Sequence, residues 1–292
     1  MRYRLLVLCG CLLMLAACGG QASDQTAAAA SLGKPIENIG SDTIVNLALA
    51  WAEAYQKVKP GIRISVTGGG SGTGITALIN GTADITNASR AMKDEEKQQV
   101  RANGFEPNEI EIARDAIAVI VNPRNPVQML TLPQLSDIYS GKITNWREVG
   151  GEDRPIVLLS RETNSGTHVY FLERVLRLGS SKDKTLFSPD TLLLPSSEGI
   201  TAEIRQNPNA IGYDGLGYVT SDVKMLAVAA EAGQPFVLPS IESVNTGTYP
   251  IARPLFMYTL GQPQGQIKDY LDWILSSDGQ AIVVQLGFVP LK

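Results

Sequence analysis

Three short turns carry the residues of this chain that are best suited to bind a ligand. Each turn contains serine or threonine, follows a short apolar run and precedes a segment of helical periodicity; the turns are residues 41–43, 68–74 and 161–167. The first amides of a helix have no partner within the helix and carry partial positive charge. If the fold points all three turns at one place, the sequence predicts a site for a small, dehydrated oxyanion.

The glycine-rich turn at 68–74 does not match the glycine motifs that bind nucleotides. A P-loop needs a lysine after its last glycine, and the chain has no lysine between Lys59 and Lys93. Thr73 stands where the dinucleotide motif and the hydrolase elbow need glycine, so the dinucleotide spacing fits only in a looser register. An anion could approach the backbone amides here beside the hydroxyl of Ser71. A plain strand-to-helix turn explains the same residues equally well.

Arg161 adds a fixed cation to the third turn. It ends an apolar run, and the Ser-Gly-Thr sequence at 165–167 opens the next helix. The planar guanidinium pairs with two oxygens at once and keeps its charge, which suits an oxyanion ligand. The alternative is a helix-capping serine beside a surface arginine. Ser89 and Arg90 offer a second hydroxyl and guanidinium, with a weaker signal.

His168, the single histidine of the chain, argues against hydrolase and metal chemistry. It lies three residues from Ser165 at the same helix start, which is poor geometry for a general base, and no carboxylate is placed by sequence to orient its ring. One histidine and no cysteine after Cys18 do not predict a zinc or redox-metal site. The acidic residues show no calcium-loop spacing. We therefore expect no catalytic residue, no metal and no cofactor.

The first 33 residues resemble an export signal followed by a tether. Residues 1–17 have a basic start and a short apolar run, and the residues before Cys18 resemble a bacterial lipobox, which predicts a lipid anchor on Cys18. A plain secretory signal is the alternative. Residues 18–33 are small and polar, as in a flexible tether. With 29 acidic and 25 basic side chains, a net charge of −4, the chain is not expected to bind nucleic acid.

From residue 34 onward, short apolar runs alternate with amphipathic segments, which predicts an α/β protein. The predicted strands are 36–39, 62–66, 84–90, 116–121, 156–159, 210–213 and 254–259. The predicted helices are 44–58, 75–79, 94–102, 135–139, 169–178, 200–206 and, last in the chain, 267–275. Each of the three turns lies between a predicted strand and a helical segment.

With these motifs in place, the chain resembles the family of phosphate-binding proteins of bacterial Pst ABC transporters. The resemblance runs in order through residues 40–43, 68–74, 83–85, 88–90, 117–122, 132–151, 161–167, 210–218 and 250–258. Its most specific parts are Ser-Gly-Lys-Ile-Thr-Asn-Trp at 140–146 and Arg-x3-Ser-Gly-Thr at 161–167.

The resemblance implies a two-lobed type II periplasmic-binding-protein fold with the ligand cleft between the lobes. Lobe I would comprise 34–115 and 248–292, and lobe II 116–247. The ligand contacts implied by analogy are Ser41, Thr43, Ser71, Ser89, Arg90, Arg161, Ser165, Gly166 and Thr167. The protein would be a monomeric, lipid-anchored, extracytoplasmic receptor that hands inorganic phosphate to an ABC permease and its ATPase.

One departure from the family pattern concerns selectivity. Some members place an aspartate after the Ala-Ser of the third loop, where it accepts the proton of hydrogen phosphate and repels sulfate; this chain has Arg90 there. Asp42, Asp115 and Asp214 are candidate substitutes. Three alternative functions also stay open: a receptor for sulfate, molybdate or tungstate, a secreted serine hydrolase or phosphatase, and a surface sensor or adhesion protein without transport.

Overall fold

The computed structural model describes residues 34–291. The predicted signal peptide at 1–17, the lipidated Cys18 and the tether at 18–33 lie outside the described residues. The strands are β1 Ile36–Gly40, β2 Ile64–Thr67, β3 Ile85–Ala88, β4 Pro107–Val121, β5 Met129–Thr131, β6 Val157–Arg161, β7 Leu192–Leu194, β8 Ala210–Gly215, β9 Lys224–Met225, β10 Ala227–Ala229 and β11 Ala252–Leu260. The helices are α1 Asp42–Val58, α2 Ser71–Ile79, α3 Asp94–Ala102, α4 Leu132–Tyr139, α5 Gly166–Phe171, α6 Ser197–Gln206, α7 Ile241–Asn245, α8 Gly265–Ile274 and α9 Ser277–Gln285.

Strand β4 is the central element of a mixed sheet. The order across the sheet is β2-β1-β3-β11-β4-β8-β6-β7, with β9 also paired to β4. Residues 107–116 of β4 pair antiparallel with β11, whereas residues 117–121 pair antiparallel with β8. β2, β1 and β3 are mutually parallel, as are β8, β6 and β7. One continuous strand therefore changes partners from β11 to β8 between residues 116 and 117.

Helix α1 shows why the alternating pattern folds against this sheet. Ile44, Leu47, Trp51 and Tyr55 recur at three- and four-residue steps, and each is at most 1% exposed. Trp51 also donates its indole N–H to the carbonyl of Gly279, at 2.8 Å, which fixes α1 to α9. The apolar stripe of α1 is thus buried between the sheet and the C-terminal helices.

Two large hydrophobic clusters lie on either side of the point where β4 changes partners. The larger contains the second half of β4 together with residues of α4, α5 and β8, and the other contains residues of α1, β11 and α8. Tyr249, Ile251 and Val289 pack in the first cluster, and Tyr218 packs in the second. Neither cluster follows the predicted lobes residue by residue, so the lobe boundaries stay a prediction.

Several element predictions were wrong in extent, and three of them affect the fold. β4 begins at Pro107 rather than at 116, because the alternation over 109–112 continues the strand outward. The helix predicted over 169–178 is α5 followed by a π-helical turn, Leu172–Leu176. Helix α8 is not the last, since Ser276 accepts a hydrogen bond from the amide of Gly279 and starts α9. Between residues 34 and 291, no helix has the length and apolar character required to cross a bilayer.

Candidate anion-binding site

Parallel strands bring the predicted turns to one edge of the sheet. Ser41 follows β1, the glycine-rich turn follows β2, and Ser89 follows β3. Because these strands are parallel, their carboxyl ends lie together, which is where α/β sheets commonly bind ligands. The turn that contains Asn164 reaches the same place, since the carbonyl of Asn164 accepts a hydrogen bond from the amide of Gly72, at 3.0 Å.

Five buried hydroxyls meet there, and we call them the hydroxyl cluster: Ser41, Thr43, Ser71, Ser89 and Thr167. Ser41 Oγ donates to Ser89 Oγ at 2.9 Å, and Ser71 Oγ lies 3.3 Å from Ser89 Oγ. Thr43 Oγ1 and Thr167 Oγ1 are 2.7 Å apart. The three turns of the sequence, together with Ser89, therefore converge on one dry, hydroxyl-rich place.

Gly166 lets the third turn approach the other two. A Cβ at this position would lie 2.3 Å from Ser71 Oγ and 2.6 Å from Ser89 Oγ, closer than atoms can pack. Ser165, directly before it, caps α5, because its Oγ accepts the amide of Thr167 at 3.2 Å. The capping oxygen uses its lone pairs in this way and keeps its hydroxyl proton for donation.

Gly70 has a related role at the start of α2. Its φ of 99° lies in a region that side chains rarely adopt, and an added Cβ would lie 2.8 Å from the carbonyl of Asn164. Asn164 in turn donates its side-chain amide to the carbonyl of Gly69 at 2.8 Å. The glycine-rich turn is thus shaped to let the third turn pack directly on its backbone.

Arg90 points toward helix α3. Its two terminal nitrogens donate to the carboxylate of Glu96 at 2.8 and 2.7 Å, and one of them also donates to the carbonyl of Ala91. Burial by itself would raise the pKa of Glu96, but hydrogen bonds from Arg90 and Lys93 outweigh burial and lower it. The structure therefore places Arg90 in a bidentate ion pair, and its role as a ligand contact stays a prediction.

Arg161 bonds to groups at the starts of helices α1 and α6. Its Nη1 donates to Ser197 Oγ at 2.8 Å, and its Nη2 donates to the carbonyl of Pro195 and lies 3.0 Å from Asp42 Oδ2. Among the described residues, these partners do not include a member of the cluster. The ion pair with Asp42, which directly precedes Thr43, nevertheless ties Arg161 to the start of α1.

Arg253 is a cation of the site that sequence reasoning missed. Its Nη2 donates to Thr167 Oγ1 at 3.0 Å, and its Nη1 donates to the carbonyl of Ser89 at 2.8 Å. It pairs with Asp115 across β11 and β4, where the two residues are opposite each other, with Nη2 2.9 Å from Oδ2. An arginine within an apolar strand implies a buried partner of opposite charge, and this signal could have revealed it.

Asp115 and Asp214 are fully buried carboxyls beside the cluster. Burial raises the pKa of Asp115, and the charge and hydrogen bonds of Arg253 oppose that effect. Burial also raises the pKa of Asp214, to about 7, against the lowering influence of Arg161. Asp214 Oδ1 accepts from Ser197 Oγ at 2.8 Å, while Oδ2 has no hydrogen-bond partner among residues 34–291.

His168 is directed away from the candidate site. Its Nδ1 lies 3.0 Å from Ser160 Oγ, and its ring stacks on Phe187. Burial lowers the pKa of His168. In the part of the chain that the structure describes, no group of three or more histidine, cysteine or acidic residues is arranged to hold a metal ion.

The residue types at the cluster are suited to binding an anion. Hydroxyls donate hydrogen bonds, guanidinium groups supply charge, and the low-polarity surroundings strengthen both. Ser197, which links Arg161 to Asp214, was also missed by the sequence, because the helix there was predicted to begin at 200 and it begins at Ser197. The serine pair before that helix was the signal for this additional turn.

Comparisons with known proteins agree on one family. A family model described as a PBP superfamily domain matches residues 22–278. The phosphate-binding protein PstS of Pseudomonas aeruginosa is 34% identical over 273 residues, which cover 88% of this chain and 83% of that protein. The phosphate-binding protein PstS of Bacillus subtilis is 31% identical over 295 residues, covering 98% of this chain and 93% of that protein.

A solved structure extends the comparison to three dimensions. A substrate-binding protein from Clostridium perfringens, solved with bound phosphate, has a TM-score of 0.79 and 35% identity and covers 89% of this chain and 100% of its own. The fold is therefore the predicted type II periplasmic-binding-protein fold, and the serine hydrolase alternative is set aside. The chain belongs to the PstS-type phosphate-binding proteins of the PBP superfamily, which are solute-binding receptors and not enzymes.

Proposed function

We propose that this protein binds inorganic phosphate at the hydroxyl cluster and delivers it to the permease of an ABC transporter outside the cytoplasm. The observation that carries the proposal is the meeting of five buried hydroxyls with the guanidinium of Arg253. The names of its relatives support phosphate as the ligand. The nine ligand contacts implied by the family resemblance remain part of the proposal.

The energetics are sufficient for tight binding without a metal. Micromolar affinity corresponds to about 8 kcal/mol. A hydrogen bond to a charged group contributes about 1.5–3 kcal/mol net. Five hydroxyls and one guanidinium therefore exceed the requirement, and the surplus is available to offset dehydration of the anion and ordering of the site.

Calorimetry on the full-length protein tests phosphate binding directly. We expect heat with phosphate at a stoichiometry of one, and competition by sulfate, molybdate and tungstate at two pH values compares the other tetrahedral oxyanions. Thr167→Val removes one hydroxyl of the cluster and should weaken phosphate binding by about 10- to 100-fold. Thr246→Val is the matched control, because Thr246 is exposed and its hydroxyl contacts Glu242, Ser243 and Thr248 at the end of α7.

The result that would overturn phosphate binding is the absence of heat at every pH. Tighter binding of another oxyanion would favour the alternative receptor function instead. If Thr167→Val and Thr246→Val bind phosphate like the unmodified protein, the ligand lies elsewhere and the cluster has only a structural role.

We further propose that Cys18 carries a lipid anchor, that the lobes divide at 34–115 with 248–292 and at 116–247, and that the receptor acts as a monomer. Cys18→Ala should move the protein from the membrane fraction to the soluble extracytoplasmic fraction. Retention of the variant in the membrane fraction would contradict the anchor.

Phosphate uptake in cells that depend on this receptor, lost on deletion of the adjacent permease, would separate transport from sensing or adhesion.

A further inference from the structure

Three buried arginines surround the candidate site, and they differ in what they contact. Arg90 gives both terminal nitrogens to Glu96, and Arg161 is engaged by Asp42, Ser197 and the chain at 194–195. Arg253, within the described residues, is the one of the three that donates to a member of the hydroxyl cluster. Arg253 thus contacts the cluster directly, whereas Arg90 and Arg161 are the arginines that the family resemblance implies as ligand contacts.

The guanidinium of Arg253 spans the cluster. Nη1 donates to the carbonyl of Ser89 at 2.8 Å, and Nη2 donates to Thr167 Oγ1 at 3.0 Å. Ser89 and Thr167 are contributed by different turns, after β3 and at the start of α5. An oxyanion that accepts hydrogen bonds from these two turns would lie near the same guanidinium, whose Nη1 has one N–H beyond the donors used by Asp115, Thr167 and Ser89.

Asp115 fixes the orientation of this guanidinium. Its Oδ2 accepts from Nε at 3.2 Å and from Nη2 at 2.9 Å, and its Oδ1 accepts the amide of Leu216 at 3.1 Å. The carboxylate therefore occupies the Nε–Nη2 edge, while the second N–H of Nη2 points to Thr167 Oγ1 and Nη1 points to the carbonyl of Ser89. Both side chains are at most 1% exposed, so the pair has one well-defined geometry.

Arg253 also lines a groove that none of the five cluster residues lines. The groove has a volume of about 740 Å³ and contains basic and acidic side chains: Arg90, Lys93, Asp94, Glu95, Glu173 and Arg253. The Cζ atom of Arg253 lies 5.7 Å from the ring centre of Tyr170, another groove residue.

We propose that Arg253 is the cation that contacts the bound anion, and that Asp115 is the positioning residue that holds it. This inference rests on the proposed function, because it assigns residues to the same site. It adds to the nine contacts implied by family resemblance, which do not include Arg253.

Calorimetric titration of the full-length protein with inorganic phosphate tests the inference through three variants. Arg253→Met with Asp115→Asn removes both charges and leaves no stranded buried ion; we expect phosphate binding to weaken by at least about 100-fold. Asp115→Asn alone keeps the cation but removes the carboxylate that orients it, so we expect phosphate binding to weaken by up to about tenfold; unchanged or tighter binding would overturn the positioning role of Asp115. Arg147→Met with Asp153→Asn makes the same charge change in an exposed ion pair and should leave binding unchanged.

The outcomes separate this inference from the proposed function. If the unmodified protein binds phosphate and the Arg253–Asp115 double variant binds within threefold of it, the inference is overturned and the proposed function stands. If the unmodified protein gives no heat, both fail. Should circular dichroism show the double variant unfolded, Arg253→Lys decides: a tenfold or greater loss in a folded protein supports the inference, and unchanged affinity overturns it.

Discussion

Arg90 and Arg253 are both buried and both paired with a carboxylate, yet their ion pairs are built differently. Arg90 reaches Glu96 six residues further along the chain, and the two side chains are 7% and 19% exposed. Arg253 meets Asp115 across β11 and β4, 138 residues apart in sequence, and both are almost completely excluded from solvent. The local pair can relax toward the groove, whereas the long-range pair is locked into the sheet.

The comparison indicates that the burial of an ion pair determines how much stability is lost when one of its two charges is removed. Removing one member of a fully buried pair leaves an uncompensated charge in a dry environment, which is strongly unfavourable. Removing one member of a partly exposed pair lets water solvate the other. The following changes test this difference, in order of decreasing expected effect.

Asp115→Ala should have the largest effect on stability. It leaves the guanidinium of Arg253 buried without its carboxylate, and we expect the free energy of unfolding to fall by about 3–5 kcal/mol. Urea denaturation followed by circular dichroism measures it. Adding Arg253→Met to this variant should recover part of the loss, and a loss below about 1 kcal/mol for Asp115→Ala would show that the pair is not as dry as its exposure indicates.

Asp214 is another buried carboxyl, and unlike Asp115 and Glu96 it forms no ion pair through its unpartnered oxygen, Oδ2, among residues 34–291. Its folded pKa, about 7, lies above the ordinary value of 3.8, so the folded state holds the proton while the unfolded state has lost it. Raising the pH from about 4 to 7 should therefore lower the free energy of unfolding, on the order of 3 kcal/mol from this group.

Chemical denaturation over this pH range, with Asp214→Asn alongside, measures the contribution. The variant keeps the shape of the side chain and lacks the titration, so its stability should change less with pH than that of the unmodified protein. Parallel pH profiles for the two proteins would contradict a raised pKa at Asp214.

Gly166→Ala tests the hydroxyl cluster that Arg253 contacts. The added Cβ would meet Ser71 Oγ and Ser89 Oγ well inside contact distance, and overpacking of this kind costs about 1–3 kcal/mol. We also expect weaker phosphate binding, because the third turn must move away from the other two. Thermal denaturation and calorimetry measure the two effects. Gly61→Ala is the control, since nothing lies within 4 Å of a Cβ at that position.

Glu96→Gln should have the smallest effect. Arg90 keeps its bond to the carbonyl of Ala91 and gains access to the groove, so we expect a loss of about 1 kcal/mol in the free energy of unfolding. Asp153→Asn, in the exposed pair with Arg147, provides the lower reference. A loss for Glu96→Gln as large as that for Asp115→Ala would remove the distinction between the two ion pairs.

The difference between local and long-range contacts also explains which parts of the molecule could be predicted from the sequence. Local patterns were sufficient for α1, whose apolar residues recur at helical spacing, and for α3, whose bounds of 94–102 were predicted correctly. The hydroxyl turns also have local signatures, because serine, glycine and threonine at a strand-to-helix turn indicate a cap or an anion site. Helix α9 lacks such a signal, since its buried residues include Gly279 and Gln280.

The sequence did not predict the register in which strands distant along the chain pair with each other. Asp115 and Arg253 meet because β11 pairs antiparallel with β4 in one specific alignment, with an irregularity between Leu255 and Phe256. No spacing along the chain encodes that alignment. Asp115 could be named as a candidate carboxyl from its residue type alone, but its partner and its place beside Thr167 required the structure.

The change of partners along β4 has a mechanical consequence. Asp115 pairs with β11 while Ile117, two residues later, pairs with β8, so the backbone that positions Arg253 is also the backbone that joins the two halves of the sheet. Rotation of one half relative to the other would be taken up as torsion over these few peptide units. We therefore expect residues 115–117 to govern how fast ligand is exchanged as well as how tightly it is held.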